Sequence, residues 1–333
     1  MNCSQNQENS NNKINKYDNF VINEKQLELK IIIDKESLSN LFLKRFFCIL
    51  DDGRLVSALS KGKIFIYDKN TYKLKLLIDT EKKIENIFQL SSCRLAINTK
   101  NKIIIIKVYE NNYDILQTFN YINYSLDQTK VYKLLELKNN NLVVGLGNCM
   151  YNVMFCSEII NNYNEIDKIP AHDSFCEHVI QTKENEICFS LDKSTDKNKY
   201  YSIQLIFYDL NKKETRATLD DLFTNGSVSI FNMISKDSMI VRGENHFYII
   251  DTNQYAIKGY QEDSFKLFGF CLLSDNMFLT GNKSGEIIQW KIKGNNIVII
   301  SRKTINNGGV FPLGKIKNGK IVCLIWRTIY IFN

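Results

Sequence analysis

The chain has 333 residues, of which 44% are hydrophobic, and it carries a formal net charge of +7 at pH 7. That apolar fraction is ample for a folded core and excludes a wholly disordered chain. The positive charge is spread along the sequence and singles out neither a nucleic-acid nor a membrane partner. No apolar run reaches the length of a membrane-spanning helix.

The N-terminal segment differs in composition from the rest. Residues 1–19 are rich in Asn, Gln and Ser, which predicts a disordered polar arm. They contain no apolar core of the kind found in signal peptides, so we expect a cytoplasmic protein, with the nucleus as the alternative. From Lys25 to Ile33 apolar and polar residues alternate, which is typical of a strand with one solvated face.

One pattern recurs through the remaining chain: a polar turn followed by a short apolar run. These runs begin at Leu55, Leu95, Leu142, Ile187, Met239, Met277 and Ile321. They lie 38 to 52 residues apart, and a period of about 40–45 residues is typical of a β-propeller blade with four strands. The sequence therefore predicts an all-β fold, a single seven-bladed β-propeller of four-stranded antiparallel blades covering residues 20–333.

The predicted blades follow one another at approximately 44–78, 84–119, 131–169, 175–219, 228–260, 265–301 and 310–333. The fourth contains an insertion at 192–199, in the turn between its second and third strands. The seventh has only three strands, whereas the N-terminus has a spare one at 25–33. Pairing of that N-terminal strand with the last blade would close the ring and remove an exposed strand edge.

Several residues in these blades carry a family resemblance. Trp290 ends the run Ser284–Trp290, and the dipeptides Tyr67-Asp68 and Tyr208-Asp209 resemble a Trp-Asp pair with Tyr substituted. His172, before the first strand of blade four, is similar to the histidine of a Gly-His pair. On these motifs the chain resembles the WD40-type propellers over residues 20–333. The family's buried His–Asp–Ser/Thr–Trp network is complete in no blade.

The cysteine and histidine patterns favour no cofactor. Nine Cys are scattered without a Cys-x-x-Cys pair, so we expect reduced thiols that behave as small apolar residues on strands. Of the three His, His172 and His178 have no Cys or carboxylate at ligand spacing. We therefore predict no metal and no cofactor.

Catalysis on a propeller would need acidic or basic groups where the first strands begin, at the mouth of the channel. Glu85 and Glu177 fall near such positions, but on blades that are not neighbours. Hydrolysis of a sugar would require two facing carboxylates. A propeller-fold hydrolase is therefore kept as an alternative, and we predict no catalytic residues.

The turns between the second and third strands should all project to one face, and six of the seven carry a cation. These turn residues are Lys61, Lys100, Lys193 with Lys197, Arg242, Lys283 and Arg327. Arg45, at the start of the first blade, is added to the predicted partner-binding set. One interpretation is ordinary solvated turns; the other is a basic rim that receives an acidic or phosphorylated partner.

The function that the sequence favours is a non-catalytic scaffold that presents a rigid propeller face to partner proteins or peptides. This prediction depends partly on the fold, and propellers host many functions. The first alternative is an RNA- or phosphoinositide-binding propeller that uses the basic rim. Its binding would depend strongly on salt concentration, unlike binding in an apolar groove.

Overall fold

In the computed structural model of the chain, every regular element among the described residues is a β-strand. The structure describes residues 27–32, 47–100, 102–120, 130–139, 141–147, 152–157, 166–169, 175–195, 200–224, 230–243, 246–262, 267–305, 309–316, 319–325 and 328–332. These residues contain 28 strands in four-stranded antiparallel sheets, arranged as the blades of a propeller. Among them no helix is long and apolar enough to cross a membrane.

The first strand, β1 (Leu27–Ile32), stands apart from the six blades that follow it. Each of these blades contains four strands that are consecutive in the chain. Blade 1 consists of β2 (Phe47–Ile49), β3 (Leu55–Ala58), β4 (Lys63–Tyr67) and β5 (Leu74–Asp79). Blade 2 consists of β6 (Ile84–Leu90), β7 (Arg94–Thr99), β8 (Lys102–Val108) and β9 (Tyr113–Asn120). Blade 3 consists of β10 (Lys130–Glu136), β11 (Leu142–Gly147), β12 (Asn152–Ser157) and β13 (Ile166–Ile169).

The next three blades repeat this order. Blade 4 consists of β14 (Phe175–Lys183), β15 (Glu186–Thr195), β16 (Tyr200–Asp209) and β17 (Glu214–Thr224). Blade 5 consists of β18 (Ile230–Ser235), β19 (Ser238–Arg242), β20 (His246–Asp251) and β21 (Ala256–Glu262). Blade 6 consists of β22 (Leu267–Ser274), β23 (Met277–Asn282), β24 (Glu286–Lys293) and β25 (Asn296–Thr304).

A composite sheet combines the two ends of the chain. It contains β26 (Val310–Lys315), β27 (Ile321–Ile325) and β28 (Thr328–Phe332), in the order β1-β28-β27-β26. β1 runs antiparallel to β28, with Leu27 opposite Phe332 and Ile32 opposite Thr328. The predicted pairing of the N-terminal strand with the last three is thus confirmed. The six blades of consecutive strands are one fewer than the seven units that the repeat count predicts, and the composite sheet accounts for the difference.

The first strands of the sheets lie next to one another, and the apolar core lies between neighbouring sheets. Side chains alternate between the two faces of a strand, so both faces of each inner strand are buried against a neighbour. Ile64 and Ile66 of blade 1 pack with Leu95 and Ile97 of blade 2. On its other face, blade 1 packs against the composite sheet, where Phe47 and Leu55 meet Val322 and Leu324. β26 also contacts β2 and β22.

Two buried hydroxyl–aromatic contacts support the motif alignment. In blade 6, Trp290 Nε1 donates a hydrogen bond of 2.7 Å to Thr280 Oγ1. In blade 1, the hydroxyls of Ser57 and Tyr67 lie 3.3 Å apart at the same offset of ten residues. Tyr67 therefore occupies in blade 1 the place that Trp290 occupies in blade 6. His172 and its neighbours lie outside the described residues.

The first half of the insertion predicted at 192–199 continues strand β15. β15 extends to Thr195 and β16 begins at Tyr200, with Asp192 opposite Ile203 and Thr195 opposite Tyr200. Because the antiparallel ladder continues, the extra residues lengthen a hairpin. Lys193, predicted in the turn, lies within β15, and Lys197 falls outside the described residues.

Three of the cysteines on strands occupy the core as predicted. Cys188, Cys271 and Cys323 are buried among apolar side chains. Burial disfavours the thiolate and raises the pKa of Cys271 to about 12. These thiols therefore behave as small apolar groups.

Candidate functional site

The turns between second and third strands lie beside the links that join one blade to the next, on what we call the upper face. In blade 1 the amide of Thr80, just after β5, donates to the carbonyl of Gly62 in such a turn (2.9 Å). In blade 6 the amide of Ile305 donates to the carbonyl of Gly285 (2.9 Å) in the same arrangement. The turns between first and second strands, and between third and fourth strands, lie on the opposite, lower face.

Three of the predicted rim cations are exposed on the upper face. Lys61, Lys100 and Lys283 lie in the turns after β3, β7 and β23. Lys61 and Lys100 belong to neighbouring blades, and Lys283 belongs to blade 6, on the other side of the composite sheet. The structure thus brings the first two together and leaves the third apart.

Arg242 is not a rim residue, and its predicted role on an exposed turn is wrong. It is the last residue of β19 and is only 1% exposed. Its Nη1 donates to the carbonyl of Gly243 (2.9 Å), and its guanidinium lies 5.5 Å from the centre of the Phe247 ring. A planar guanidinium packs on an aromatic face more readily than an ammonium group does, so this arginine is buried at a strand end.

The other predicted partner-binding residues, Arg45 and Arg327, lie outside the described residues. Their assignment to the rim stays a prediction.

Two further lysines lie near Lys61 and Lys100 on blades 1 and 2. They were not among the predicted rim residues, because they are not in turns between second and third strands. Lys82 and Lys83 lie in the link that leads into blade 2, and both are exposed. Ile84 pairs with Thr99 across β6 and β7, so Lys83, just before Ile84, and Lys100, just after Thr99, lie at the same end of these two strands. The amide of Ile84 donates to the carbonyl of Ser60 (3.0 Å), which holds the link beside Lys61. We call Lys61, Lys82, Lys83 and Lys100 the lysine patch.

The backbone beneath the lysine patch is tightly held. Gly62 has a φ of +100°, and a Cβ there would lie 2.7 Å from the carbonyl oxygen of Lys82. Only glycine fits both the left-handed conformation and this close approach. The hydroxyl oxygen of Thr80 lies 2.9 Å from the carbonyl oxygen of Gly62 and 3.0 Å from that of Lys82. The turn and the link therefore form one hydrogen-bonded unit.

The lower face carries a repeated motif in three blades, which we call the aspartate clasp. An aspartate at the end of the third strand accepts hydrogen bonds from the backbone amides two and three residues later. The same carboxylate pairs with a cation seven residues later. The three pairs are Asp68 with Lys75, Asp209 with Arg216 and Asp251 with Lys258. The residue four positions after each aspartate has a φ of 50° to 56°.

The clasps lower the pKa of their carboxyl groups. Lys258 Nζ lies 2.7 Å from Asp251, whose side chain is 7% exposed. That hydrogen bond, together with those from the amides of Gln254 and Asn253, lowers the pKa of Asp251 to about 2. Backbone amides are the main cause of the lowered pKa at Asp68 and Asp209, and Arg216 adds to it at Asp209.

Polar contacts on the lower face also join neighbouring blades. The buried Arg54 of blade 1 donates from Nη2 to the carbonyl of Val108 (2.8 Å) and from Nη1 to that of Tyr109, both in blade 2. Its Nε is paired with Asp52 at 2.7 Å. Arg94 of blade 2 is in turn paired with Glu136 of blade 3. Charged groups here hold one blade to the next.

The first strands surround polar cavities near the lower face. A cavity of about 360 Å³ is lined by residues of β2 and β6 together with Gly314 and Lys315 of β26. A second, of about 510 Å³, lies between β18, β22 and the same two residues. Lys315 Nζ donates to the carbonyl of Leu273 (3.0 Å) and so joins blade 6 to the composite sheet.

The described residues give the alternative of a hydrolase site no geometric support. Glu85 is half-buried at the start of β6, while the side chain of Glu177 lies outside the described part of the chain. No group of three or more His, Cys, Asp or Glu able to hold a metal ion occurs among the described residues.

Comparisons with known proteins bear on the fold. No family model matches the chain, and no curated protein matches it. Among solved structures, the chain is similar to a chain of the structure titled "Crystal Structure of Mitotic Checkpoint Complex". The TM-score is 0.71 at 8% sequence identity, over 92% of this chain and 94% of that chain. The likeness supports the β-propeller fold and shows the fold alone.

Proposed function

We propose that this protein is a non-catalytic interaction scaffold that presents the upper face of its propeller to partner proteins. The observation that carries the proposal is the fold itself: four-stranded antiparallel blades packed through continuous apolar interfaces. Such a body holds its surface turns in fixed relative positions, which lowers the entropic cost of binding a partner. The structural likeness to a chain of a multiprotein complex agrees with this role.

The proposal includes the organisation of the chain and its location. The propeller spans residues 20–333 after a polar arm at 1–19, and the composite sheet serves as the seventh blade that closes the ring. The protein acts in the cytoplasm, with the nucleus as the alternative. A truncated chain that lacks residues 1–33 tests the closure: we expect a lower unfolding temperature and a tendency to associate through the open edge of β28. An unchanged unfolding temperature would contradict it.

The scaffold role is tested by affinity capture from cell lysate followed by mass spectrometry. Wild type is compared with the upper-face variant K61E/K100E/K283E and with a lower-face control, K69E/K236E/K293E, which has the same change in charge. All six lysines are exposed in turns or at strand ends, and circular dichroism confirms that each variant folds.

A defined set of proteins that wild type and the control retain, and the upper-face variant loses, is the expected result. Loss in the control alone would place binding on the lower face and refute the choice of face. If no form captures a defined set, the scaffold role is wrong.

A further inference from the structure

We propose that the lysine patch is a docking site for an acidic segment of a partner protein, one rich in Asp and Glu or carrying phosphoserine. This inference rests on the proposed scaffold function and names the chemistry of the partner. It replaces a rim that runs around the whole face with one site that spans two blades.

The first argument is local charge. Among the described residues, six lysines lie on the upper edge of blades 1 and 2, against three carboxylates, Asp79, Glu81 and Glu85. Four of these lysines form the patch, and the other two, Lys63 and Lys102, begin the adjacent strands β4 and β8. Charges within a Debye length of about 8 Å add to one another at physiological salt. The site is therefore net positive over the width of two neighbouring blades.

The second argument is that three of the four patch ammonium groups are available. Lys82, Lys83 and Lys100 are exposed and form no salt bridge with any described residue. The cations of the aspartate clasps on the lower face are instead engaged by carboxylates: Lys258 with Asp251 and Arg216 with Asp209. An ammonium on a flexible stem can follow a carboxylate or phosphate without a fixed geometry. Such a site suits an acidic segment of variable sequence.

The third argument is that the backbone positions are already fixed. The contacts of Gly62, Thr80 and Ile84 hold the turn and the link together before any partner arrives. Binding then orders only the lysine side chains and the incoming segment. Because the backbone is ordered before binding, less of the electrostatic attraction is offset by the entropic cost of ordering, and the affinity is higher.

The fourth argument separates a peptide from a nucleic acid. Proteins that bind single strands stack bases on exposed aromatic rings. Among the described residues, the exposed aromatic side chains are Tyr109, in a lower-face turn, and Tyr260, on the outer strand of blade 5. Asp79 and Glu81 also lie within the site and would repel a backbone charged at every phosphate. A peptide can place its acidic side chains at intervals that avoid them.

The test is fluorescence anisotropy with three labelled probes: an oligoglutamate peptide, a phosphoserine-containing peptide and a single-stranded uridine RNA. Each is titrated with wild type, with K61E/K82E/K83E/K100E and with the control K69E/K73E/K236E/K293E. The control lysines are exposed on the lower face and give the same net charge. A milder variant, K61Q/K82Q/K83Q/K100Q, serves if the charge-reversed protein does not fold.

We expect at least one acidic peptide to bind wild type and the control, and to bind the patch variant on the order of 10- to 100-fold more weakly. Equal weakening in the patch variant and the control would show a general effect of net charge and overturn the site. Tighter binding of RNA than of either peptide, lost in the patch variant, would overturn the assignment to a protein partner. Absence of binding by every probe would refute the patch while leaving the scaffold function to the capture experiment.

Discussion

The lower face and the upper edge of blades 1 and 2 both carry many charged residues, but they use them differently. On the lower face, Asp251 accepts two backbone amides and Lys258, and Arg54 donates to two carbonyls of the next blade. On the upper edge, Lys82, Lys83 and Lys100 extend into solvent from a backbone fixed by other groups. Charges of the first kind stabilise a turn within a blade or join neighbouring blades, whereas those of the second kind are left for a partner.

The largest effect should come from removal of Arg54. In the variant R54A, Asp52 loses its cation, and the carbonyls of Val108 and Tyr109 lose a buried donor. We expect the free energy of unfolding to fall by about 3 kcal/mol, measured by urea denaturation. The lysine of R54K keeps the charge but cannot reach both carbonyls and the carboxylate together. The free energy of unfolding of R54K should therefore lie between those of wild type and R54A. A loss below about 1 kcal/mol in R54A would contradict a role in joining the blades.

A smaller loss in the free energy of unfolding is expected from G62A, a substitution on the upper edge. The new Cβ would lie 2.7 Å from the carbonyl oxygen of Lys82, at a φ of +100°. We expect about 2 kcal/mol less stability and weaker peptide binding, because the link would move away from the turn. Gly294 offers a matched control, since its φ is +61° and a Cβ there would meet nothing within 4 Å. Equal losses for G62A and G294A would show that backbone conformation alone is responsible.

Disruption of one aspartate clasp should cost less. D251N retains an acceptor for the two amides but loses the charge that pairs with Lys258. We expect a loss of about 1–2 kcal/mol in the free energy of unfolding near neutral pH. The double variant D251N/K258M should be little worse than D251N, because the two groups act as a pair. If the loss in the double variant equals the sum of the losses from its two single substitutions, Asp251 and Lys258 are not coupled.

The clasps also predict how stability depends on pH. The pKa of Asp251 is about 2 in the folded chain, below its ordinary value of 3.8, so the folded state binds protons less readily than the unfolded one. Stability is therefore fully present above about pH 4 and is lost as the pH falls toward 2. The lowered pKa values of Asp68 and Asp209 act in the same direction. Urea midpoints measured across this range should fall less steeply for D251N than for wild type.

The smallest effect is expected where the charges serve a partner. K61Q/K82Q/K83Q/K100Q should unfold within about 0.5 kcal/mol of wild type, because exposed side chains contribute little to stability. Peptide binding by the same variant should nonetheless be weaker. A loss of more than about 1 kcal/mol would place these lysines with the structural charges of the lower face.

The sequence pattern predicts the strands well, because each blade repeats the same alternation of apolar runs and turns. It also predicts the pairing of β1 with β28, from a spare strand at one end and a missing one at the other. Arg242 was misplaced because its position, at the end of β19 next to a turn, looks exposed in sequence. Its burial depends on the Phe247 ring on the neighbouring strand, which spacing alone does not reveal.

Only two of the four patch lysines could be predicted from the sequence, for a related reason. Lys61 and Lys100 occupy equivalent turns, which the repeat identifies. Lys82 and Lys83 lie in a link between blades, and their proximity to Lys100 follows from the register of Ile84 with Thr99. A register is set by the packing of whole strands, so it becomes visible only once the sheet is formed. In each clasp the Lys or Arg follows the aspartate by seven residues, and this recurring spacing could have been found in the sequence.

The composite sheet also sets the order in which the molecule can be completed. Leu27 and Phe332 are partners across a separation of about 300 residues. A ribosome that adds about 5–20 residues per second needs roughly 15 to 60 s to synthesise the chain between them. The six blades of consecutive strands can form one after another during that time, whereas β1 has no partner until β28 has emerged. Closure of the ring is therefore a late step of biosynthesis, and until then the apolar faces of blades 1 and 6 that pack against the composite sheet have no neighbour.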